Sequence, residues 1–96
     1  MKLRYTRRAA AELDEVLSEI DRQSPQGARH VKQRLQTVID LLLQYPQAGR
    51  LTNKSGLRRV VAFPYPYLIY YRASDNEIVI HGIRHSARQP AGANDR

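Results

Sequence analysis

Arginine and histidine side chains in the second half of the chain supply groups that phosphate chemistry requires. Arg59, Arg72 and Arg84 fall on three different predicted strands, and His85 follows the last of them. Guanidinium groups offset the charge that develops on a reacting phosphate, and an imidazole with an unperturbed pKa of about 6.5 can deliver a proton near neutral pH. Lys54, in the loop before these strands, would add a cation. If the strands are neighbours in one sheet, these side chains could converge on one phosphate.

Metal-free cleavage of RNA also requires a base that activates the 2′-hydroxyl group. The loop 47–56 contains no carboxylate, and Asp75 and Glu77 lie at the far turn of the predicted sheet. A lysine could act as the base only if neighbouring cations strongly lowered its pKa. The chain therefore carries cations and an acid for phosphate chemistry but no evident base, which favours an activity by binding.

The remaining histidines are interpreted as structural or exposed residues. His30 is predicted on a helix flank, and strand alternation places His81, Ile83 and His85 on the same face as Val79, so His81 is expected to be packed or half-buried. The three histidines lack the spacing of metal ligands, and no carboxylate is placed to join them. We therefore predict no metal site and no cofactor.

Tyrosines and arginines of the predicted sheet each allow two interpretations. Tyr67 and Tyr71 share one face of a strand, and Tyr70 lies on the other. Aromatic rings beside arginines can stack on bases, but a small sheet also needs such rings for its core, which we favour. The arginines could contact the target or receive an acidic segment of a partner protein.

Charge is unevenly distributed along the 96 residues, whose formal net charge is +7. Residues 1–49 contain eight Lys or Arg against six Asp or Glu, whereas residues 50–96 contain eight against three. Such an excess is typical of contact with phosphates or with an acidic protein. The chain has no cysteine, which excludes disulfides and thiolate zinc sites. Without a signal peptide or a long apolar segment, we expect a cytoplasmic protein that does not contact a membrane.

Hydrophobic periodicity predicts the elements that position these residues. A short strand at 2–5 precedes a helix capped by Thr6, and Ser24-Pro25 begins a second helix that runs to Gln44 and ends before Pro46. Strands are predicted at 57–63, 67–72 and 77–84, joined by short turns. The predicted class is α+β, with an antiparallel two-helix hairpin on a small, mainly antiparallel sheet in the order β-α-α-β-β-β. The apolar face of the second helix comprises Ala28, Val31, Leu35, Val38, Ile39 and Leu42, widened by Leu41 and Leu43.

This ordered set of features resembles the RelE/ParE toxins of bacterial type II toxin–antitoxin systems. The resemblance covers residues 2–88, and we take residues 1–88 as one domain with a polar tail at 89–96. It rests on the Tyr45-Pro46-x-x-Gly49 exit from the second helix, the strand at 67–72, and the ending Ile-Arg-His-Ser-Ala-Arg at 83–88, which is similar to ParE-like members. It implies a plasmid-stabilisation toxin that poisons DNA gyrase and is neutralised in a hetero-oligomer by a cognate antitoxin with a helical and acidic segment.

The same resemblance leaves two alternatives open. One is a RelE-like, ribosome-dependent endonuclease of mRNA, in which His85, Arg72, Arg59 and Lys54 would be catalytic; Ser86, however, stands where some nuclease members carry a tyrosine. The other is an inert or nucleic-acid-binding relative. For a gyrase poison, the residues predicted to contact the target or the antitoxin are Arg58, Arg59, Arg72, Arg84, His85 and Arg88.

Overall fold

Two helices pack on one face of a five-stranded mixed sheet in the described part of the chain. The computed structural model describes residues 1–88, and the predicted tail at 89–96 lies outside them. Strand order is β1-β5-β4-β3-β2; β1 is parallel to β5, and the other pairs are antiparallel. The predicted fold class is confirmed, with one strand more than expected. The elements are β1 (Lys2–Tyr5), α1 (Arg7–Gln23), α2 (Pro25–Gln44), β2 (Arg50–Leu51), β3 (Arg58–Val61), β4 (Tyr67–Ala73), β5 (Glu77–His85) and a 3-10 turn (Ser86–Arg88).

Both helices begin at the predicted caps. The Thr6 hydroxyl accepts a hydrogen bond from the Ala9 N–H at 3.0 Å, and the Ser24 hydroxyl accepts one from the Gly27 N–H at 2.9 Å. Ser24 also ends α1, because its own N–H donates to the Ile20 carbonyl. A connection of one residue makes the helices antiparallel neighbours, so a single apolar layer faces the sheet.

The buried face of α2 consists of the six predicted residues from Ala28 to Leu42. All of them except Ala28 belong to one core cluster with Ile69, Tyr71 and the isoleucines of β5. The expectation that Leu41 widens this face is wrong, since its side chain is 48% exposed. Each helical residue is rotated by about 100° from the last, so the complete burial of Leu42 turns Leu41 away from the sheet.

The loop predicted at 47–56 contains the additional strand β2. Arg50 pairs with Arg59 and Leu51 with Arg58, at the edge of the sheet. Both side chains of β2 are exposed, so the pairing of this strand rests on backbone hydrogen bonds. Its sequence therefore lacks the alternation of apolar and polar residues that predicts a strand. The neighbouring strand is shorter than predicted, at Arg58–Val61.

A β-bulge in β5 changes which residues face the helices. Tyr70 pairs with Gly82 while Tyr71 pairs with Ile80, so His81 is an extra residue in β5. Ile80 and Ile83 therefore both reach the helix-side core, and the predicted alternation from Val79 to His85 is wrong beyond the bulge.

The Tyr71 hydroxyl holds the chain segment that connects α2 to the sheet. Its ring is fully buried, and its oxygen donates to the Pro46 carbonyl and accepts from the Gly49 N–H, both at 2.8 Å. A Cβ atom at Gly49 would lie 2.6 Å from this oxygen, so the position requires glycine. Arg58 Nη1 binds the Gly49 carbonyl at 2.7 Å. The Tyr45-Pro46-x-x-Gly49 segment thus has a packing explanation.

We predict that Tyr71→Phe lowers the free energy of unfolding by about 1–3 kcal/mol, because it leaves the Gly49 N–H and the Pro46 carbonyl without their partner. Chemical denaturation would measure the change. Tyr45→Phe removes the same atom from a side chain that is 61% exposed and should have little effect. Equal losses in the two variants would contradict the assigned role of the buried hydroxyl.

Along the second half of β5, a carboxylate from α1 occupies the place of a neighbouring strand. β1 pairs with β5 only as far as Ile80. Beyond that point, Glu12 Oε1 of α1 accepts from the Ile83 N–H at 3.0 Å, and Glu12 Oε2 lies 3.6 Å from Arg84 Nε. A Cβ atom at Gly82 would lie 3.1 Å from Glu12 Oε1, so the glycine makes room for the carboxylate. Glu12 therefore closes an otherwise unpaired strand edge.

Glu12→Ala should destabilise the fold by about 1–3 kcal/mol, since the partly buried Ile83 N–H loses its acceptor. Thermal and denaturant unfolding would measure the loss. Glu15→Ala removes the same charge from an exposed position on α1 and is the matched control, with an expected change below about 0.5 kcal/mol. If Glu12→Ala and Glu15→Ala had the same free energy of unfolding, water would replace the Glu12 carboxylate at no cost.

Candidate functional site

The sheet face opposite the helices, here called the open face, collects most of the predicted site residues. Ile69 and Tyr71 belong to the helix-side core, so their neighbours along β4 lie on the other face. There, Leu57, Leu68 and Tyr70 form a second apolar cluster. Strand register and alternation assign the open face to Arg4, Arg59, Val61, Leu68, Tyr70, Arg72, Val79, His81 and Arg84.

Arg84 lies across the apolar part of the open face. Its Cζ atom is 5.3 Å from the centroid of the Tyr70 ring, within the range of a cation–π contact. Its Nε atom is 3.6 Å from Glu12 Oε2 at the strand edge. Tyr70 is buried in this arrangement, and Tyr71 is buried on the opposite side, which confirms the interpretation of these rings as core.

Arg72 links the turn that carries Lys54 to strand β5. Its Nε atom donates to the Ser55 carbonyl at 3.1 Å, and its Nη1 atom lies 3.5 Å from His81 Nε2. Lys54 is exposed in this turn, and its N–H donates to the Thr52 hydroxyl at 3.1 Å. The structure therefore brings Arg72, His81 and the Lys54 turn together.

The environment of His81 favours its neutral form. Burial lowers the pKa of His81, and the charges of Arg72 and Arg4 lower it further. Arg4 lies on β1 and pairs with Glu77, with Arg4 Nη2 at 3.3 Å from Glu77 Oε2. The half-burial of His81 agrees with the interpretation from the sequence. Its proximity to Arg72 depends on the bulge in β5, which the sequence did not predict.

His85 lies on the other side of the sheet. It pairs with Tyr67, whose ring is 5.2 Å from the imidazole and nearly perpendicular to it, and Tyr67 packs against the helix-side core. The His85 Nδ1 atom accepts from the Ala87 N–H at 3.0 Å. His85 is thus not brought together with Arg59 and Arg72, so the predicted convergence on one phosphate does not include it.

Arg58, another predicted contact residue, also lies apart from the open face. Arg58 is opposite Tyr71 in the register, and its guanidinium binds the carbonyls of Gly49 and Gln47, which is a structural role. Arg88 ends the 3-10 turn, and its side chain lies outside the described part of the structure. Within residues 1–88, no three His, Asp or Glu side chains are grouped as metal ligands, and no helix is long and apolar enough to cross a membrane.

Comparison with known proteins places this arrangement in a family. The family model described as ParE toxin of type II toxin–antitoxin system, parDE, matches residues 3–90. The chain belongs to the ParE toxin family. Toxin RelE2 of Caulobacter vibrioides is 40% identical over 84 residues, which span 88% of this chain and 93% of that protein. The protein Y4kP of Sinorhizobium fredii is 34% identical over 88 residues, or 92% of this chain and 91% of the relative.

A solved structure of the family has the same fold. A chain from the chromosomal ParDE toxin–antitoxin system of P. aeruginosa superposes with a TM-score of 0.75 at 27% identity, covering 88% of this ParE-family chain and 95% of that one. The resemblance noted from the sequence is therefore confirmed. The chain is a toxin of the ParE/RelE type from a toxin–antitoxin system, a context that implies an antitoxin partner.

The contact between Arg72 and His81 leads to a prediction for this ParE-family toxin. Arg72→Gln should raise the pKa of His81, because one of the charges that oppose its protonation is removed. A pH titration of the His81 ring by NMR would measure the midpoint. Arg29→Gln makes the same charge change at an exposed position on α2 and should leave the midpoint in place. If both variants titrate like the parent, burial alone controls the imidazole.

Proposed function

We propose that this ParE-family toxin poisons DNA gyrase in the cytoplasm and acts by binding, without catalysing a reaction itself. The supporting observation is the separation of His85 from Arg59 and Arg72 by the sheet. Nuclease chemistry needs an acid and a base within hydrogen-bond reach of the reacting group, so the predicted set of His85, Arg59 and Arg72 cannot act as one catalytic site. Cations on an exposed face are sufficient for a toxin that traps the covalent enzyme–DNA intermediate of its target.

The open face and the end of β5 are the proposed target contacts. Arg59, Arg72 and Arg84 would meet the negative charge of the gyrase–DNA complex, which increases the rate of association and fixes orientation. His85 and Arg88 would extend the contact along the end of the chain. Arg58 would contribute by holding the 47–49 segment rather than by touching the target.

A cognate antitoxin would cover apolar side chains outside the open face in addition to arginines of the sheet. Tyr45, Phe63 and Leu41 are large apolar side chains with exposures of 61%, 73% and 48%. An antitoxin helix that packs apolar residues on these side chains, with acidic residues reaching the arginines of the sheet, would remove them from water. The toxin would then exist as a hetero-oligomer until the antitoxin is lost.

The second candidate function is that of a ribosome-dependent mRNA endonuclease. It is favoured by the 40% identity with a protein named Toxin RelE2 and by the position of His81 beside Arg72 and the Lys54 turn. In that case His81, rather than the predicted His85, would be the imidazole next to the cations.

Induced expression in bacteria separates the two candidates. For a gyrase poison we expect double-strand DNA breaks and filamentous cells while bulk protein synthesis initially continues. His85→Ala should reduce toxicity only partly, because it removes one proposed contact and no catalytic step depends on the imidazole. Co-expression of the antitoxin is the control and should suppress the breaks.

A different response of the cells would contradict gyrase poisoning. Rapid loss of protein synthesis with truncated messages, before any DNA damage, would exclude gyrase poisoning and support the endonuclease. His81→Gln would then abolish cleavage while antitoxin binding remains, which shows that the variant is folded.

A further inference from the structure

Basic side chains of the open face lie on four adjacent strands. Arg4 is on β1, His81 on β5, Arg72 on β4 and Arg59 on β3, in the spatial order of the sheet. Neighbouring strands are about 4.8 Å apart, so the row extends over roughly 14 Å. A single carboxylate cannot contact such a row, whereas one strand of a nucleic acid carries a charge about every 3.4 Å along its axis. The spacing therefore fits a sugar–phosphate backbone.

One end of this row is a shallow cavity of about 320 Å³. It is lined by Arg4, Thr6, Arg72, Glu77, Val79 and His81, among others. Glu77 partly neutralises Arg4 at one wall. Arg72 forms no ion pair with any residue of the described range 1–88; a carbonyl holds its Nε atom, and Nη1 is directed towards His81. The Arg72 guanidinium thus lines the cavity, and its hydrogen bonds within residues 1–88 include none to a carboxylate.

We propose that Arg72, His81 and Arg4 form a subsite that binds a phosphodiester group of a nucleic acid. The inference rests on the proposed function for its biological setting, since gyrase on DNA and the ribosome on mRNA both present such groups. Arg72 donates from Nη1 to one phosphate oxygen, and a protonated His81 donates from Nε2 to the same group. Arg4 and Arg59 contact the backbone on either side.

Phosphate binding is coupled to proton uptake by His81. The groups that face this imidazole are Arg72 from β4 and Arg4 from β1, with Glu77 of β5 paired to Arg4. The two arginines disfavour the imidazolium ion in the free protein, and a bound phosphate reverses the sign of the local field. The affinity for a nucleic acid therefore increases as the pH falls towards the lowered pKa of His81.

The test measures binding of fluorescently labelled duplex DNA and single-stranded RNA to the full-length toxin by anisotropy over a range of salt concentrations. Arg72→Gln should weaken binding and reduce the slope of log Kd against log salt by about 0.9 for duplex and about 0.7 for single strands. Arg29→Gln removes the same charge from α2 and should leave the slope within error. Glu77→Gln should strengthen binding, because it removes a negative wall of the cavity.

His81→Gln tests the proton coupling. It should abolish the increase in affinity at low pH, which Arg29→Gln retains, and circular dichroism with thermal unfolding verifies that each variant is folded. Parental affinity and salt slope in both Arg72→Gln and His81→Gln would overturn the subsite. It would also be overturned if these variants lost affinity for an acidic antitoxin peptide while oligonucleotide binding stayed unchanged. The assay contains neither gyrase nor ribosomes, so its failure is distinguishable from a failure of the proposed target.

Discussion

The extra residue in β5 determines which side chains reach each face of the sheet. Because His81 has no partner opposite it, Ile80 and Ile83 can both point to the helices, and His81 itself turns towards Arg72. β5 also pairs with β1 and β4 and contacts both helices, so this shift affects the core and the candidate site together. A regular strand would interchange the faces of Ile83 and Arg84 and thus expose an isoleucine while burying a guanidinium group.

A second constraint is the buried hydroxyl of Tyr71, which connects the end of α2 to the sheet. The oxygen satisfies two backbone groups that no other element reaches in the described residues, and the contact leaves no space for a side chain at Gly49. Burial raises the pKa of Tyr71, so this hydroxyl remains protonated and can both donate and accept. The same segment occupies the guanidinium of Arg58. One arginine of the basic half is therefore used by the fold.

Most of the fold could be predicted from local signals. The caps at Thr6 and Ser24 act within one helical turn, and the buried face of α2 follows from a period of 3.6 residues. β2 and the bulge could not be predicted in this way, since β2 has exposed side chains and depends on its partner strand. The residue types of the candidate site could be predicted from the sequence, but which of these residues lie together could not. Arg59, Arg72 and Arg84 do share a face, whereas the histidine beside them is His81 rather than His85, because grouping depends on register.

Electrostatics distinguishes the two ends of the open face. At the Arg84 end, the Tyr70 ring and the Glu12 carboxylate already accommodate the cation, so a partner gains little there unless it displaces Glu12. At the Arg72 end, the contacts are with a carbonyl and a neutral imidazole, which leave the positive charge uncompensated. Repulsion between the Arg72 charge and the other positive charges of the protein lowers the stability of the free protein, and an anionic ligand relieves it. An acidic antitoxin and a nucleic-acid-bearing target would both benefit from the Arg72 end, so neutralisation by the antitoxin can follow from occupation of the same charge.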